Sequence, residues 1–286
     1  MSVDDLPTKL RAWLRKEGYP FELRAGREFR QSGWQVFHST YYTDPETNKL
    51  REIDLDVSWG PYGGLREKHG LVSFHLVCEC KQSEKPWIVF TSRGADDSKH
   101  RLPGHLAPGP FGSRALDHGV TIMRDSLRAL LPNTRIGYGI TKAFADSRSG
   151  DPTGPFAALA GVVTAARAFS REHYATVFRG STRGQINPTI WFGIHVPIVI
   201  FSGRLFEFYL DPAGNEVIEE RDRIHVLVRG GNSNEEPVLA RIVSEQGLSD
   251  FTRDALHDVR LVADTILDEA QTLWKSFQPE LNFVFE

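Results

Sequence analysis

Two charged residues end an apolar stretch of the chain, and their spacing places them on the same side of a strand. Residues 71–81 read LVSFHLVCECK, and the side chains of a strand alternate between its two faces. Glu79 and Lys81 therefore share one face, whereas the opposite face is wholly apolar. A carboxylate and an ammonium group are costly to desolvate at the end of a buried strand, so this pair indicates a functional site.

A strand predicted over residues 51–57 brings further acids next to this pair. Its three acidic residues, Glu52, Asp54 and Asp56, share one face. The apolar residues on the opposite face are Ile53, Leu55 and Val57. Hydrolysis of a phosphodiester needs a polarised phosphate, an activated water and stabilisation of the developing charge, and carboxylate oxygens are ligands that Mg²⁺ prefers. Acids on two neighbouring strands with a lysine beside them therefore predict a divalent-metal site for phosphodiester hydrolysis.

Each candidate residue has a role in that chemistry. Asp54 and Glu79 are predicted to bind the metal, together with the backbone carbonyl of Cys80. Lys81 is predicted to orient or deprotonate the attacking water, because burial and cationic neighbours readily lower the pKa of a lysine. Glu22, on a helix before the strands, is predicted to complete the acid cluster and is a candidate for a further metal ligand.

The order of predicted elements indicates an α/β fold built on a mixed central sheet. Residues 204–210 are predicted to form a hairpin with 189–200, and 92–113 are predicted to form a long loop. Helices are predicted over 6–16, 21–32, 114–130, 155–172 and 249–277. Strands are predicted over 34–42, 51–57, 71–81, 87–91, 135–144, 189–200, 204–210 and 223–229.

The candidate residues resemble the pattern of the PD-(D/E)xK superfamily, the restriction-endonuclease-like nucleases. That pattern has an acid on an N-terminal helix, an aspartate on a strand and Glu-x-Lys on the next strand. Here the matching residues are Glu22, Asp54 and the run 79–81. The run Arg-Glu-Ile-Asp at 51–54 is similar to one bacterial branch of the family, which favours Asp54 over Asp56 as the strand aspartate.

The resemblance is good over residues 18–91, and it implies both a fold and an activity. The fold would be a restriction-endonuclease-like mixed central sheet flanked by helices. Residues 1–210 would form the nuclease-like core, and 211–286 a C-terminal extension of strand and helix packed on that core. The activity would be Mg²⁺-dependent or Mn²⁺-dependent hydrolysis of nucleic acid, and many relatives act in DNA repair or in restriction of foreign DNA. Which polynucleotide is cut does not carry over from the family, and we expect DNA rather than RNA.

Composition restricts the class of protein without deciding its function. The chain has 286 residues, 40% of them hydrophobic and 25% charged, as expected of a globular protein. Two cysteines, Cys78 and Cys80, are too few for a disulfide framework, so we expect a reducing cytoplasm. The apolar run 191–201 is too short to span a bilayer, and no signal peptide is evident at the N-terminus. A formal net charge of −3 does not exclude a nuclease, since a local basic groove is sufficient.

Two other classes of function stay open at this point. The chain could be a catalytically inactive nucleic-acid-binding member of the same fold, or a protein-interaction module whose acids form salt bridges. No separate module for reading sequence is evident, so specificity would come from a protein partner. A homodimer would supply two active sites if both strands are cut. Substrate strandedness, cutting mode and biological pathway do not follow from the sequence.

Overall fold

The computed structural model describes the backbone of most of the chain, and the side chains over slightly narrower ranges. All of the predicted helix 114–130 and most of the predicted loop 92–113 lie outside the described residues. The described backbone covers residues 5–60, 70–92, 105–108, 135–144, 154–181, 190–229 and 237–281. Described side chains cover 5–60, 73–92, 135–144, 154–172, 193–229 and 237–264.

Helices and strands follow one another along the described chain much as the hydrophobic periodicity predicts. The helices are α1 (Leu6–Glu17), α2 (Tyr19–Gln31), α3 (Pro155–Ser181) and α4 (Leu248–Leu281). The first six strands are β1 (Gln35–Thr43), β2 (Leu50–Trp59), β3 (Gly70–Lys81), β4 (Trp87–Ser92), β5 (His105–Pro108) and β6 (Ile136–Lys142). The remaining strands are β7 (Ile190–Phe201), β8 (Leu205–Leu210), β9 (Glu216–Glu220), β10 (Arg223–Val228) and β11 (Val238–Ser244). Strand β5 falls within the stretch predicted as a loop.

The eleven described strands form one mixed sheet. Their order is β1-β2-β3-β7-β11-β10-β6-β4-β8-β9, and β5 pairs with β7. Strand β2 is antiparallel to both β1 and β3, whereas β3 and β7 are parallel over their whole length. The prediction of a mixed α/β fold with a large sheet flanked by helices is confirmed.

Each face of the sheet carries its own hydrophobic core. One core packs α2 and α4 against β2, β3 and β7, with Phe29, Phe74 and Phe251 all buried within it. Both cysteines, which are free thiols, lie on this apolar side of β3. The other core packs α3 against the opposite face, where Val162 and Val199 are fully buried. The strand that carries Glu79 and Lys81 is therefore covered on both sides.

The C-terminal part of the chain is built into the sheet. Strand β11 lies between β7 and β10, and Phe251 and Val259 of α4 belong to the same core as β3. A boundary at residue 210 would therefore fall within a continuous sheet, to which the described residues after it add an interior strand and a helix of the β3 core.

The predicted hairpin between 189–200 and 204–210 is not formed. Strand β8 pairs in parallel with β4 and antiparallel with β9. The amide of Ser202 donates to the Lys81 carbonyl (3.0 Å), and that of Trp87 donates to the Arg204 carbonyl (3.0 Å). The segments that follow β3 and β7 thus lie side by side. They lead into β4 and β8, which pair with each other at a distance from β3 and β7 in the sheet. Gly203 permits this course, since a Cβ there would lie 2.5 Å from the Ser83 carbonyl oxygen.

Within the described residues, no helix combines the length and apolarity needed to cross a membrane.

Candidate active site

The site begins where the ladder between β2 and β3 ends. The last paired residues are Leu55 and Cys78. Beyond them the Cys80 amide donates to Oδ2 of Asp54 at 2.6 Å, so a side-chain carboxylate accepts the hydrogen bond that another strand would otherwise accept. In a strand the N–H and C=O of one residue point to the same neighbour. The Cys80 carbonyl is therefore directed to the side on which the Asp54 carboxylate lies.

A change of face in β2 accompanies this separation. Leu55 and Val57 lie in the core under α2 and α4, but Ile53 lies in the core under α3. The prediction that all three share a face is therefore wrong for Ile53. In the β1–β2 register the pairs His38–Leu55 and Thr40–Ile53 enclose Ser39 and Asp54, and Ser39 has a φ of 53°, in the left-handed region. Such a φ is uncommon for a residue other than glycine, and it marks the point where the pleat of both strands is interrupted.

Lys81 and Glu79 form a close ion pair on the opposite side of β3 from the cysteines. The distance from Nζ of Lys81 to Oε1 of Glu79 is 2.5 Å, and both side chains are mostly buried. Burial lowers the pKa of Lys81, but the charges of Glu79 and Asp54 outweigh burial and hold that pKa above its ordinary value. Lys81 is therefore a cation at neutral pH, suited to orienting a water or a phosphate oxygen rather than to removing a proton.

Asp54 carries the strongest electrostatic perturbation of the site. Burial, with the negative charge of Glu79 next and that of Glu22 as a smaller contribution, raises the pKa of Asp54 to about 7. The hydrogen bond from the Cys80 amide and the charge of Lys81 act in the opposite direction without cancelling the effect. Carboxylates that destabilise one another in this way favour a bound cation.

Helix α2 brings Glu22 to the cluster. Phe21, Ala25 and Phe29 recur every four residues and are buried against the sheet, which fixes the rotation of the helix. Glu22 follows Phe21 and is half-buried. Burial, and then the charges of Glu52 and Glu79, raise the pKa of Glu22. The structure therefore brings Glu22, Asp54, Glu79 and Lys81 into one electrostatic cluster.

Glu52 has no role in the site predicted from the sequence, yet its charge also acts on the cluster. Its charge acts on Glu22 more strongly than that of Glu79 does, and Tyr41, its partner in the β1–β2 register, is hydrogen-bonded to it. Glu52 was visible as an acid on β2, but the interrupted pleat that directs it toward α2 has no signature in the sequence.

Asp56 has a different neighbour from Asp54. Its Oδ1 lies 3.2 Å from Nδ1 of His75, and the His75 ring stacks on that of His195 with 4.8 Å between centroids. This contact engages Asp56 with histidines, whereas Asp54 faces the end of β3. The arrangement supports Asp54 as the strand aspartate of the candidate site.

The donor set fits a hard divalent cation. Asp54, Glu79 and the Cys80 carbonyl offer oxygen ligands of the kind that Mg²⁺ and Mn²⁺ prefer. In the part of the chain that the structure describes, no three side chains of His, Cys, Asp or Glu converge on a common metal position. A metal held by Asp54 and Glu79 would have two carboxylates and the Cys80 carbonyl as its ligands.

Comparison with protein-family models, with curated proteins and with solved structures found no match to this chain.

Proposed function

We propose that the protein is a Mg²⁺-dependent or Mn²⁺-dependent nuclease with a restriction-endonuclease-like arrangement of its core. The observation that carries this proposal is the meeting of Asp54, Glu79 and Lys81 where β2 and β3 separate. An acid from a preceding helix, Glu22, faces the same place. The antiparallel run β1-β2-β3 followed by the parallel strand β7 supports the proposed fold.

The residues divide the work of hydrolysis among themselves. Asp54 and Glu79, with the Cys80 carbonyl, would hold the metal, and the Cys80 amide keeps the Asp54 carboxylate in place. When bound, the metal supplies Lewis-acid polarisation of the scissile phosphate. Lys81, held by Glu79, orients the attacking water and stabilises negative charge on the phosphate. Glu22, whose pKa is raised, accepts a proton at its carboxylate more readily than an exposed glutamate does.

We infer that the substrate is DNA rather than RNA and that the protein acts in the cytoplasm. The family resemblance suggests a role in DNA repair or in defence against foreign DNA. Two buried free cysteines are compatible with that compartment. Cutting of both strands would require two active sites, which a homodimer would provide. A protein partner that supplies specificity is the other arrangement we consider.

One observation favours a second candidate function, a nucleic-acid-binding module that does not cleave. The Lys81 ammonium is already engaged by Glu79 at 2.5 Å, as in a purely structural ion pair. A metal at Glu79 would have to compete with this contact. The two candidates therefore differ in whether divalent cations bind at Asp54 and Glu79.

The deciding experiment is a cleavage assay on single-stranded, duplex and branched DNA and on RNA, each with Mg²⁺, Mn²⁺ or EDTA. We expect metal-dependent cutting that Glu79→Ala and Lys81→Ala abolish. Glu84→Ala, at an exposed acid in the segment after β3, is the matched control and should cut normally. Unchanged cutting by Glu79→Ala would overturn the proposal, and binding of DNA without Mg²⁺ affinity or cutting would establish the second candidate.

A further inference from the structure

Helix α1 is amphipathic, yet none of the described residues buries its apolar side. All of its residues are described, and none of them is buried. Leu6, Leu10, Trp13 and Leu14 recur at helical spacing, and about half of Trp13 is exposed. A helix ordinarily buries its apolar stripe, so the exposure of this stripe among the described residues leaves it available to a ligand.

Two aromatic rings stand together at the end of this helix. The rings of Trp13 and Tyr19 lie 6.0 Å apart between centroids, at an angle of 45°, and about half of each side chain is exposed. We call Trp13 and Tyr19 the aromatic platform. The helices that carry them meet at Gly18, which ends α1 with a φ of 93°.

The platform adjoins the candidate active site. A Cβ on Gly18 would lie 4.0 Å from Oε1 of Gln82, and Gln82 directly follows Lys81. The amide of Glu22 donates to the Gly18 carbonyl at 3.3 Å, so one helical turn joins the platform to the acid cluster. A bound polymer that lay across these two rings would continue to the end of β3.

The charge around the platform complements a polyanion. Helix α1 carries four basic residues against one acid, Glu17, although the whole chain has a net charge of −3. Asp5, directly before the helix, forms an ion pair with Lys9, which leaves the other three cations to give the helix its positive charge. The basic residues are Lys9, Arg11, Arg15 and Lys16, and all four are exposed. Self-association through α1 would bring eight such cations together, which disfavours a second copy as the occupant. Nucleic acid satisfies both features, because phosphates contact the cations and bases stack on the rings.

We propose that the aromatic platform binds unpaired bases, so that the chain recognises single-stranded nucleic acid or single-stranded regions beside a duplex. The bases of an intact duplex already stack on one another, whereas unpaired bases can stack on aromatic side chains. The inference rests on the proposed nuclease function and names the form of its substrate. In it, Trp13 and Tyr19 are positioning residues that deliver the adjacent phosphodiester to Asp54, Glu79 and Lys81.

The test is fluorescence anisotropy with a labelled single strand and a blunt duplex of equal length, in EDTA so that nothing is cut. We expect the wild type to prefer the single strand. Trp13→Ala and Tyr19→Ala should each weaken single-strand binding by about tenfold, the usual effect of losing one stacked base, and leave duplex binding unchanged. Trp13→Phe, which keeps a ring, should retain most of the affinity. Tyr138→Ala, at an exposed tyrosine on β6, is the matched control and should bind normally.

Several outcomes would contradict the proposal that the aromatic platform binds unpaired bases. Equal weakening of single-strand and duplex binding would show that the rings do not select unpaired bases, and unchanged binding would show that they do not contact the ligand. Loss of a wild-type dimer in Trp13→Ala, without a change in DNA binding, would assign the surface to self-association. Ring-dependent binding to vesicles of anionic lipid, without ring-dependent DNA binding, would assign it to a membrane surface.

The two proposals fail in distinguishable ways. If Glu79→Ala loses cleavage but the ring variants bind and cut as the wild type does, the nuclease function is supported and base binding by the aromatic platform is excluded. If single-strand binding depends on the rings but no substrate is cut, base binding by the aromatic platform is supported and the nuclease function is excluded.

Discussion

At the scale of single residues, the ionised carboxylate of Asp54 opposes folding. Its pKa of about 7 in the folded protein exceeds the ordinary value of 3.8, so the folded state holds the proton more tightly than the unfolded chain does. The stability gained from this proton is fully present below about pH 4 and is lost as the pH rises toward 7. A charge that costs stability where the site must work is typical of a functional residue.

We therefore expect Asp54→Asn to stabilise the protein at high pH. The amide oxygen can still accept from the Cys80 amide, while the charge near Glu79 is gone. The free energy of unfolding should rise by about 1–3 kcal/mol at pH 8, and the difference should vanish near pH 4. Urea denaturation at the two pH values measures it. Asp56→Asn, beside His75, is the comparison variant, and an equal effect of Asp54→Asn at both pH values would contradict the electrostatic account.

A bound divalent cation should offset the loss of stability that the ionised Asp54 carboxylate causes. Binding to the folded state alone stabilises it, and Asp54 and Glu79 are the proposed ligands. We expect Mg²⁺ to raise the Tm of the wild type in EDTA-stripped buffer and to have no effect on Glu79→Ala. Thermal unfolding followed by circular dichroism measures the shift, with Glu84→Ala responding as the wild type does. An identical shift in Glu79→Ala would place the cation elsewhere.

At the scale of elements, the contact between α2 and β1 sets where Glu22 lies. Gly26, one turn after Glu22, lies over His38, and a Cβ there would be 2.7 Å from Cε1 of that ring. Gly161 in α3 is also inside a helix, but a Cβ on it would meet nothing within 4 Å. The two glycines thus provide a matched pair, one held by packing and one free to change.

Gly26→Ala should destabilise the protein by about 1–3 kcal/mol, because the helix or the His38 ring must move. Gly161→Ala should stabilise it by about 0.5–1 kcal/mol, since alanine favours a helix. Denaturation midpoints measure both changes, and cleavage rates should fall only for Gly26→Ala as Glu22 shifts. Normal stability and cleavage in Gly26→Ala would show that α2 tolerates a wider spacing.

Local periodicity explains which elements the sequence predicts well. The spacing of Phe21, Ala25 and Phe29 predicts α2, and alternation predicts the strands that carry Asp54 and Glu79. Partners across the sheet are not encoded locally, and so β8 was assigned to the wrong neighbour. Ile53 faces the core under α3 because the pleat of β1 and β2 is interrupted next to Ser39. A serine does not indicate a positive φ, so the sequence does not predict this interruption.

At the scale of the whole molecule, the two ends of the chain differ in what they contribute to the core. Strand β11 is interior to the sheet, and α4 covers the core that contains β3. Helix α1, in contrast, buries none of its described side chains. Removing the C-terminal part should therefore disrupt the fold, and removing α1 should not.

Two truncations test this contrast. The fragment 1–210 should lack a cooperative thermal transition, because β7 loses β11 and the core loses Phe251. The fragment 18–286 should unfold cooperatively with a Tm near that of the full chain, while its affinity for single-stranded DNA falls. Circular dichroism melting decides both, and a cooperative transition in 1–210 would show that the core closes without β11.

The hydrogen bond from the Cys80 amide to Asp54 gives the protein a spectroscopic reporter in its own backbone. Most strand amides sense only the neighbouring strand, but this one senses a titrating carboxylate. Its amide resonance should therefore shift with pH around 7, move again when a cation reaches Asp54, and do neither in Asp54→Asn. A single peak in an amide correlation spectrum would then report protonation, metal binding and the integrity of the strand junction without any label attached to the site.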